Sequence, residues 1–139
     1  MMTELLRLRL PANAAFATVA RESVVSLARG LGFSEDERAG IRLAVGEACN
    51  NAVDHAGGRA MFTLQCFQDD DALVVDVESR LPDAAPNVPV TMPSAEAEHG
   101  RGRALMEALS DHVEYENIAA GFRVRLRKSL PRTINPAER

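Results

Sequence analysis

The sequence predicts an α/β protein, a two-layer sandwich in which helices cover a mainly antiparallel sheet. Three observations predict it. Several segments alternate apolar and polar residues with the period of two that a half-buried strand requires. Two longer segments, 13–29 and 34–55, repeat apolar residues at helical spacing. The element order mixes strands and helices that must share one sheet, and no linker or repeat divides the chain.

Leu6, Leu8 and Leu10 alternate with Arg7 and Arg9, a half-buried first strand that Pro11 ends. The helix over 13–29 carries Phe16, Val19, Ala20, Val24 and Leu27 on its apolar stripe, and Gly30 and Gly32 bracket its C-terminal break. Ser34 and Glu37 form a capping box: the hydroxyl accepts from an orphan N–H while the carboxylate reaches back. The helix they open runs to about His55, where Gly57-Gly58 stops it.

A hairpin follows. Ala60, Phe62, Leu64 and Cys66 alternate with polar or larger partners, Asp69-Asp70-Asp71 turns the chain, and Leu73, Val75 and Val77 alternate with Val74, Asp76 and Glu78. Between Arg80 and Gly100 four prolines abolish periodicity. A loop of this length in a small domain is either a lid or binding segment, or a surface loop without a role. A helix then opens at Gly100, with Ala104, Leu105, Ala108 and Leu109 on its core side. Val113 and Tyr115 mark a short strand, Ala119-Ala120-Gly121 turns, and Phe122, Val124 and Leu126 alternate with Arg123, Arg125 and Arg127 in the last strand.

At 139 residues this reads as one domain over 1–139, with a core over about 4–129 and a polar tail at 130–139. A net charge of −4 argues against direct nucleic-acid binding. No apolar run approaches the roughly 18 residues of a membrane span, so neither a membrane role nor export is expected, and the cytoplasm is. Cys49 and Cys66 fall within a helical and a strand pattern and read as two buried free thiols. The outward arginines of the first and last strands, Arg7, Arg9, Arg123, Arg125 and Arg127, have two readings. They either protect edge strands from aggregation or form a docking face for an acidic partner.

The stretch from Leu43 to Ala56 carries the chemistry. On a helix, Ile41, Val45, Ala48 and Ala52 fall on one side; Glu47, Asn51 and Asp54 fall on the other, flanked by Asn50 and His55. This polar face lacks the long Lys/Glu pairs of a solvated helix, and its short amides, acid and histidine suit a site better. Gly100 and Gly102 form a G-x-G at a helix mouth, where backbone N–H groups and a partial positive charge favour an anion, with Arg101 and Arg103 beside it. No Walker A loop or dinucleotide fingerprint is present. A polyphosphate held there would bring Mg²⁺, which Asn51 could partly ligate, and Glu47 could accept a proton from an attacking hydroxyl.

These motifs resemble the GHKL ATPase superfamily, and more closely the RsbW-type anti-sigma-factor serine kinases with their Bergerat fold. L-A-V-G-E-A-C-N-N-A-V-D-H-A is similar to the N box E-x-x-x-N-A-x-x-H. H-G-R-G-R-A-L-M-E-A-L-S-D-H-V-E-Y resembles the second glycine box, and G-F-R-V-R-L-R-K the closing strand. By that resemblance Glu47 corresponds to the catalytic base and Asn51 to the Mg²⁺ ligand. Asp54, His55, Ser79, Gly100, Arg101 and Gly102 are the further candidates for binding nucleotide. The resemblance implies ATP with Mg²⁺, a homodimer, a STAS-domain anti-anti-sigma factor phosphorylated on serine, and a sigma factor as second partner in a partner-switching pathway.

The sequence departs from the family at the first glycine box. Where D-x-G-x-G is usual stands Ser79-Arg80-Leu81-Pro82-Asp83, with serine in place of the aspartate that reads the adenine amino group. Glu78 is one residue early and falls on the opposite strand face unless a bulge re-aims it. Replacing a charge-assisted hydrogen bond by a neutral one weakens binding roughly tenfold. Phe122 replaces a usual threonine, and Thr18 a usual basic residue of the first helix. Three functions follow. The first is the anti-sigma factor with ATP-dependent serine kinase activity. The second is a regulator of the same fold, impaired in nucleotide binding, that acts by protein binding alone. The third is another enzyme on this scaffold, an ATPase or a stand-alone histidine kinase core.

Overall fold

A computed structural model of the chain describes residues 1–56, 61–80, 99–119 and 121–131. Its elements are β1 (Met2–Pro11), α1 (Ala14–Gly30), α2 (Glu35–Ala56), β2 (Met61–Asp69), β3 (Ala72–Arg80), α3 (His99–Leu109), β4 (His112–Ile118) and β5 (Gly121–Ser129). The strands form one sheet in the order β1-β2-β3-β5-β4, every pairing antiparallel, with the helices on one face. The expected break at Gly57-Gly58, the segment 81–98 and the tail beyond Pro131 lie outside the described residues.

Local chemistry starts and stops the helices. Asn13 caps α1, its side-chain oxygen accepting from the Phe16 N–H at 3.2 Å. Gly32 takes a φ of +91° just past the helix, and the Phe33 N–H returns to the Ala28 carbonyl at 3.1 Å. The capping box is closed in both directions: Glu37 N–H donates to the Ser34 hydroxyl at 3.1 Å, and Ser34 N–H to the Glu37 carboxylate at 3.0 Å. That bond holds the Glu37 carboxyl below the usual glutamate range. In the β2–β3 turn Asp70 takes a φ of 54°, which aspartate tolerates better than most residues.

The core lies between the helices and the sheet. Phe62, Leu64 and Cys66 of β2, Val75 and Val77 of β3, and Phe122, Val124 and Leu126 of β5 meet Ala20, Val24, Ile41, Val45, Ala48 and Ala52 from above. Each fully buried large side chain contributes about 1.5–3 kcal/mol relative to exposure. Two expected helix faces need correction. Val19 is exposed, and α1 instead buries Ala17, Ala20, Val24, Val25 and Ala28. In α3, Ala104 and Ala108 are exposed while Gly102 and Met106 are buried, in a helix that packs mainly against α2.

Helix α2 is the central element of its layer. It passes over β2 and β3 and is flanked by α1 and α3. On the α1 side, a β-carbon at Gly46 would lie 3.2 Å from Arg21 Cδ, and Arg42 pairs with Glu22 at 3.0 Å. On the α3 side, Gly40 faces Leu109 and Gly102 faces Glu47, so the two helices run antiparallel in close contact.

The last strand is not an edge. β5 lies between β3 and β4, so its arginines do not guard an open rim. Residues in register run Arg7–Gln65–Asp76–Arg125–Glu114 and Arg9–Thr63–Glu78–Arg123–Glu116 across the sheet. Arg125 grips Asp76 with two bonds of 2.7 Å, Arg123 holds Glu78 at 2.6 Å and Glu116 at 3.1 Å, and Arg127 holds Asp69 at 2.8 Å. The arginines of β5 are thus partnered within the chain. Val74 and Asp76, on the same face as these arginines, are buried although strand alternation assigned that face to solvent.

Candidate functional site

The C-terminal half of α2 brings together residues from three parts of the chain. Glu47 is partly buried and its carboxylate lies on α3, directly against the backbone of Gly102. A β-carbon at Gly102 would collide with Glu47 Oε2 and come within 3.2 Å of Cδ. Gly102 is the fourth residue of α3, directly after the three whose N–H groups have no intrahelical acceptor. The acid therefore stands at the positive end of a helix dipole.

Asn51 follows one turn after Glu47. Sequence periodicity placed it on a polar face, but it is 5% exposed. α2 has neighbours on both flanks as well as beneath, so more of its circumference is covered than its apolar stripe alone. Asp54, a further turn on, is exposed. His55 lies in α2, and Gly100 and Arg101 lie in α3, ahead of Gly102; their side-chain placement lies outside the described residues.

Ser79 reaches the same helix from the sheet. It is completely buried, and its hydroxyl donates to the Ala52 carbonyl at 3.2 Å. Its cross-strand neighbours are Phe62 on β2 and Phe122 on β5, both 1% exposed. The hydroxyl hydrogen is thus occupied, and only the oxygen lone pairs could serve a ligand. Glu78 does not substitute for it. The β3 register runs unbroken from Ala72 to Arg80, so Glu78 stays on the opposite face, paired with Arg123. Leu81, Pro82 and Asp83 lie outside the described residues.

Arg103 was expected to flank a phosphate. It instead lies over the Tyr115 ring, 4.1 Å from the centroid, with Glu107 at 3.5 Å, and so ties α3 to β4. Sequence reasoning missed this pair, although an arginine and a tyrosine flanking one helix–strand connection were its visible signal. It also missed the Glu47–Gly102 contact, for which the sequence holds no signal beyond the glycine itself.

The donor set limits what could be held here. Among the described residues no group of three or more His, Cys, Asp or Glu side chains could cage a metal. A hard cation carried by a polyphosphate and touching protein through one amide oxygen fits that composition, and Asn51 carries a buried amide on this side of α2. The thiols behind the site are inert: burial pushes Cys49 and Cys66 up to about 12, far from a thiolate at neutral pH. No helix among the described residues is long and apolar enough to cross a membrane.

Comparison with known proteins identifies the family of the domain. The family profile of the histidine kinase-like ATPase domain matches residues 10–128. The serine-protein kinase RsbW of Bacillus subtilis is 28% identical over 137 residues, covering 90% of this chain and 85% of that one. Its counterpart from Bacillus licheniformis is 29% identical over 140 residues, covering 91% and 86%. A crystal structure of the RsbU and RsbW domains of a Mycobacterium tuberculosis protein superposes with a TM-score of 0.64 at 20% identity, covering 94% of this chain and 34% of that one. That likeness establishes the fold.

Proposed function

This chain belongs to the histidine kinase-like ATPase domain family, and from that premise we propose that it is an ATP-dependent serine-protein kinase of the RsbW type. One observation carries the reading: the Glu47 carboxylate rests on the first turn of α3, one helical turn from the buried Asn51 amide.

In the proposed reaction the N-terminal turn of α3 receives the phosphates of ATP, its unpaired N–H groups donating to their oxygens. Asn51 offers its amide oxygen to Mg²⁺, which when bound neutralises charge on the phosphates. Glu47 accepts the proton of the substrate serine hydroxyl as its oxygen attacks the γ-phosphorus. The bond from that phosphorus to the β–γ bridging oxygen breaks, and ADP leaves. Asp54 and His55, near the end of α2, and Gly100 and Arg101, at the head of α3, complete the nucleotide-binding set. Ser79 contributes at most a neutral acceptor at the sheet end, so we expect affinity roughly tenfold below that of a site with a carboxylate there.

The substrate we assign is a STAS-domain anti-anti-sigma factor, with a sigma factor as competing partner, a homodimer as the working form and the cytoplasm as its place. The motif resemblance and the RsbW relatives support this choice. Calorimetric titration with Mg·ATP, followed by phosphate transfer to a STAS-domain partner, tests it. Glu47→Gln should retain nucleotide binding and lose transfer by about 10²-fold or more. Absence of heat and of thermal stabilisation at millimolar nucleotide would overturn the kinase and leave a regulator that acts by protein binding.

A further inference from the structure

We infer that Gly102 is a positioning residue for Glu47: its missing side chain is the slot in which α3 holds the acid. The inference rests on the reading of Glu47 as the base, and it assigns the second glycine of the G-x-G to the carboxylate rather than to the phosphates.

The contact involves the whole end of the acid. A β-carbon at Gly102 would meet Oε2 in hard overlap, Cδ at 3.2 Å and Cγ at 3.6 Å. None of Gly30, Gly32, Gly40 and Gly46 is so placed. Gly30 and Gly32 face open space, Gly40 meets Leu109 at an ordinary 3.5 Å, and Gly46 meets Arg21 Cδ at 3.2 Å. Gly102 is also buried and inside a helix, where glycine is the poorest former after proline, so local propensity does not explain its presence.

The seam between the helices decides how the collision would be relieved. The Gly40–Leu109 contact lies seven residues from the Glu47–Gly102 contact on each helix, two turns along an antiparallel pair. α3 cannot back away from Glu47 without also opening that second contact. The terminal carboxylate of a glutamate, by contrast, can rotate about its own bonds at small cost. A methyl group at 102 therefore displaces the acid and leaves the fold intact. A displacement of about 1 Å in a catalytic group is enough to lower a rate by about 10²-fold.

The experiment compares Gly102→Ala with the unaltered chain and with Glu47→Gln. We expect Gly102→Ala to melt within a few degrees of the parent and to keep its Mg·ATP dissociation constant within about threefold, while kcat for phosphate transfer falls 10- to 100-fold. Adding Gly102→Ala to Glu47→Gln should lower transfer no further, since the acid it displaces is already disabled. A crystal structure of Gly102→Ala should show Glu47 in a different rotamer. The inference is overturned if Gly102→Ala loses nucleotide affinity more than tenfold with kcat intact, if its kinetics are unchanged, or if Glu47 stays in place. Failure of the unaltered chain to transfer phosphate would instead overturn the kinase reading, and the Glu47 rotamer would still judge the steric pairing.

Discussion

Arg125 holds Asp76 by two bonds of 2.7 Å on the sheet face away from the helices, and Asp76 is only 4% exposed. Removing the guanidinium leaves a carboxylate buried without its partner. Breaking a fully buried pair costs about 3–5 kcal/mol, and Arg125 is itself one-third exposed. We therefore expect Arg125→Met to lose about 2–3 kcal/mol in urea denaturation. The double variant Asp76→Val/Arg125→Met should recover most of that loss. Equal instability of the single and double variants would show that packing of the arginine stem, rather than the stranded charge, is responsible.

The capping box yields an acid-side expectation. Glu37 has a carboxyl pKa lowered chiefly by the Ser34 N–H, so its folded value lies below its unfolded one. The resulting stability is present above the unfolded value of about 4.3 and is lost as pH falls through the folded value. Glu37→Gln should flatten that part of the acid limb of a stability–pH curve. Ser34→Ala should cost about 1 kcal/mol at neutral pH, measured by chemical denaturation.

The thiols contribute on the alkaline side. Burial raises Cys49 and Cys66 to about 12, above the ordinary thiol value, so the unfolded chain loses these protons first. Stability is full below about pH 8.5 and falls between there and about pH 12, by up to about 1.4 kcal/mol per pH unit for each thiol. Cys49→Ala should remove part of this slope. A thiol reagent at pH 8 should label neither cysteine in the native protein and both after unfolding; rapid native labelling would contradict their burial.

Ser79 gives the nucleotide expectation. Its hydrogen is committed to the Ala52 carbonyl, so Ser79→Ala should destabilise the fold by about 1 kcal/mol. Mg·ATP affinity should change by no more than about threefold, against the roughly tenfold effect of a charge-assisted contact. A loss well beyond tenfold on calorimetry would mean that Ser79 contacts the base far more strongly than a neutral hydroxyl can.

Most of the fold was legible in advance because its signals are local. Alternation of Phe62, Leu64 and Cys66 marks a strand wherever that strand pairs, and Ser34 with Glu37 marks a helix start without reference to anything distant. Glu47 and Asn51 were legible as candidates for the same reason, since a fixed spacing on one helix sets both on one side. The errors have the opposite character. Val19 is apolar at a plausible helical position yet exposed, and Ala104 and Ala108 likewise, because which side of a helix is covered depends on where its neighbours lie.

The sequence by itself determined the elements, their caps, the polar cluster on α2 and the glycines at the head of α3, all of which follow from backbone sterics and residues within a turn or two. The tertiary structure alone decided that β5 lies inside the sheet, that its arginines neutralise Asp69, Asp76, Glu78 and Glu116, and that Gly102 lies beneath Glu47. Those facts join residues far apart in the chain. Their geometry is set by how a helix layer and a sheet fill one shared volume, and no period along the sequence records it.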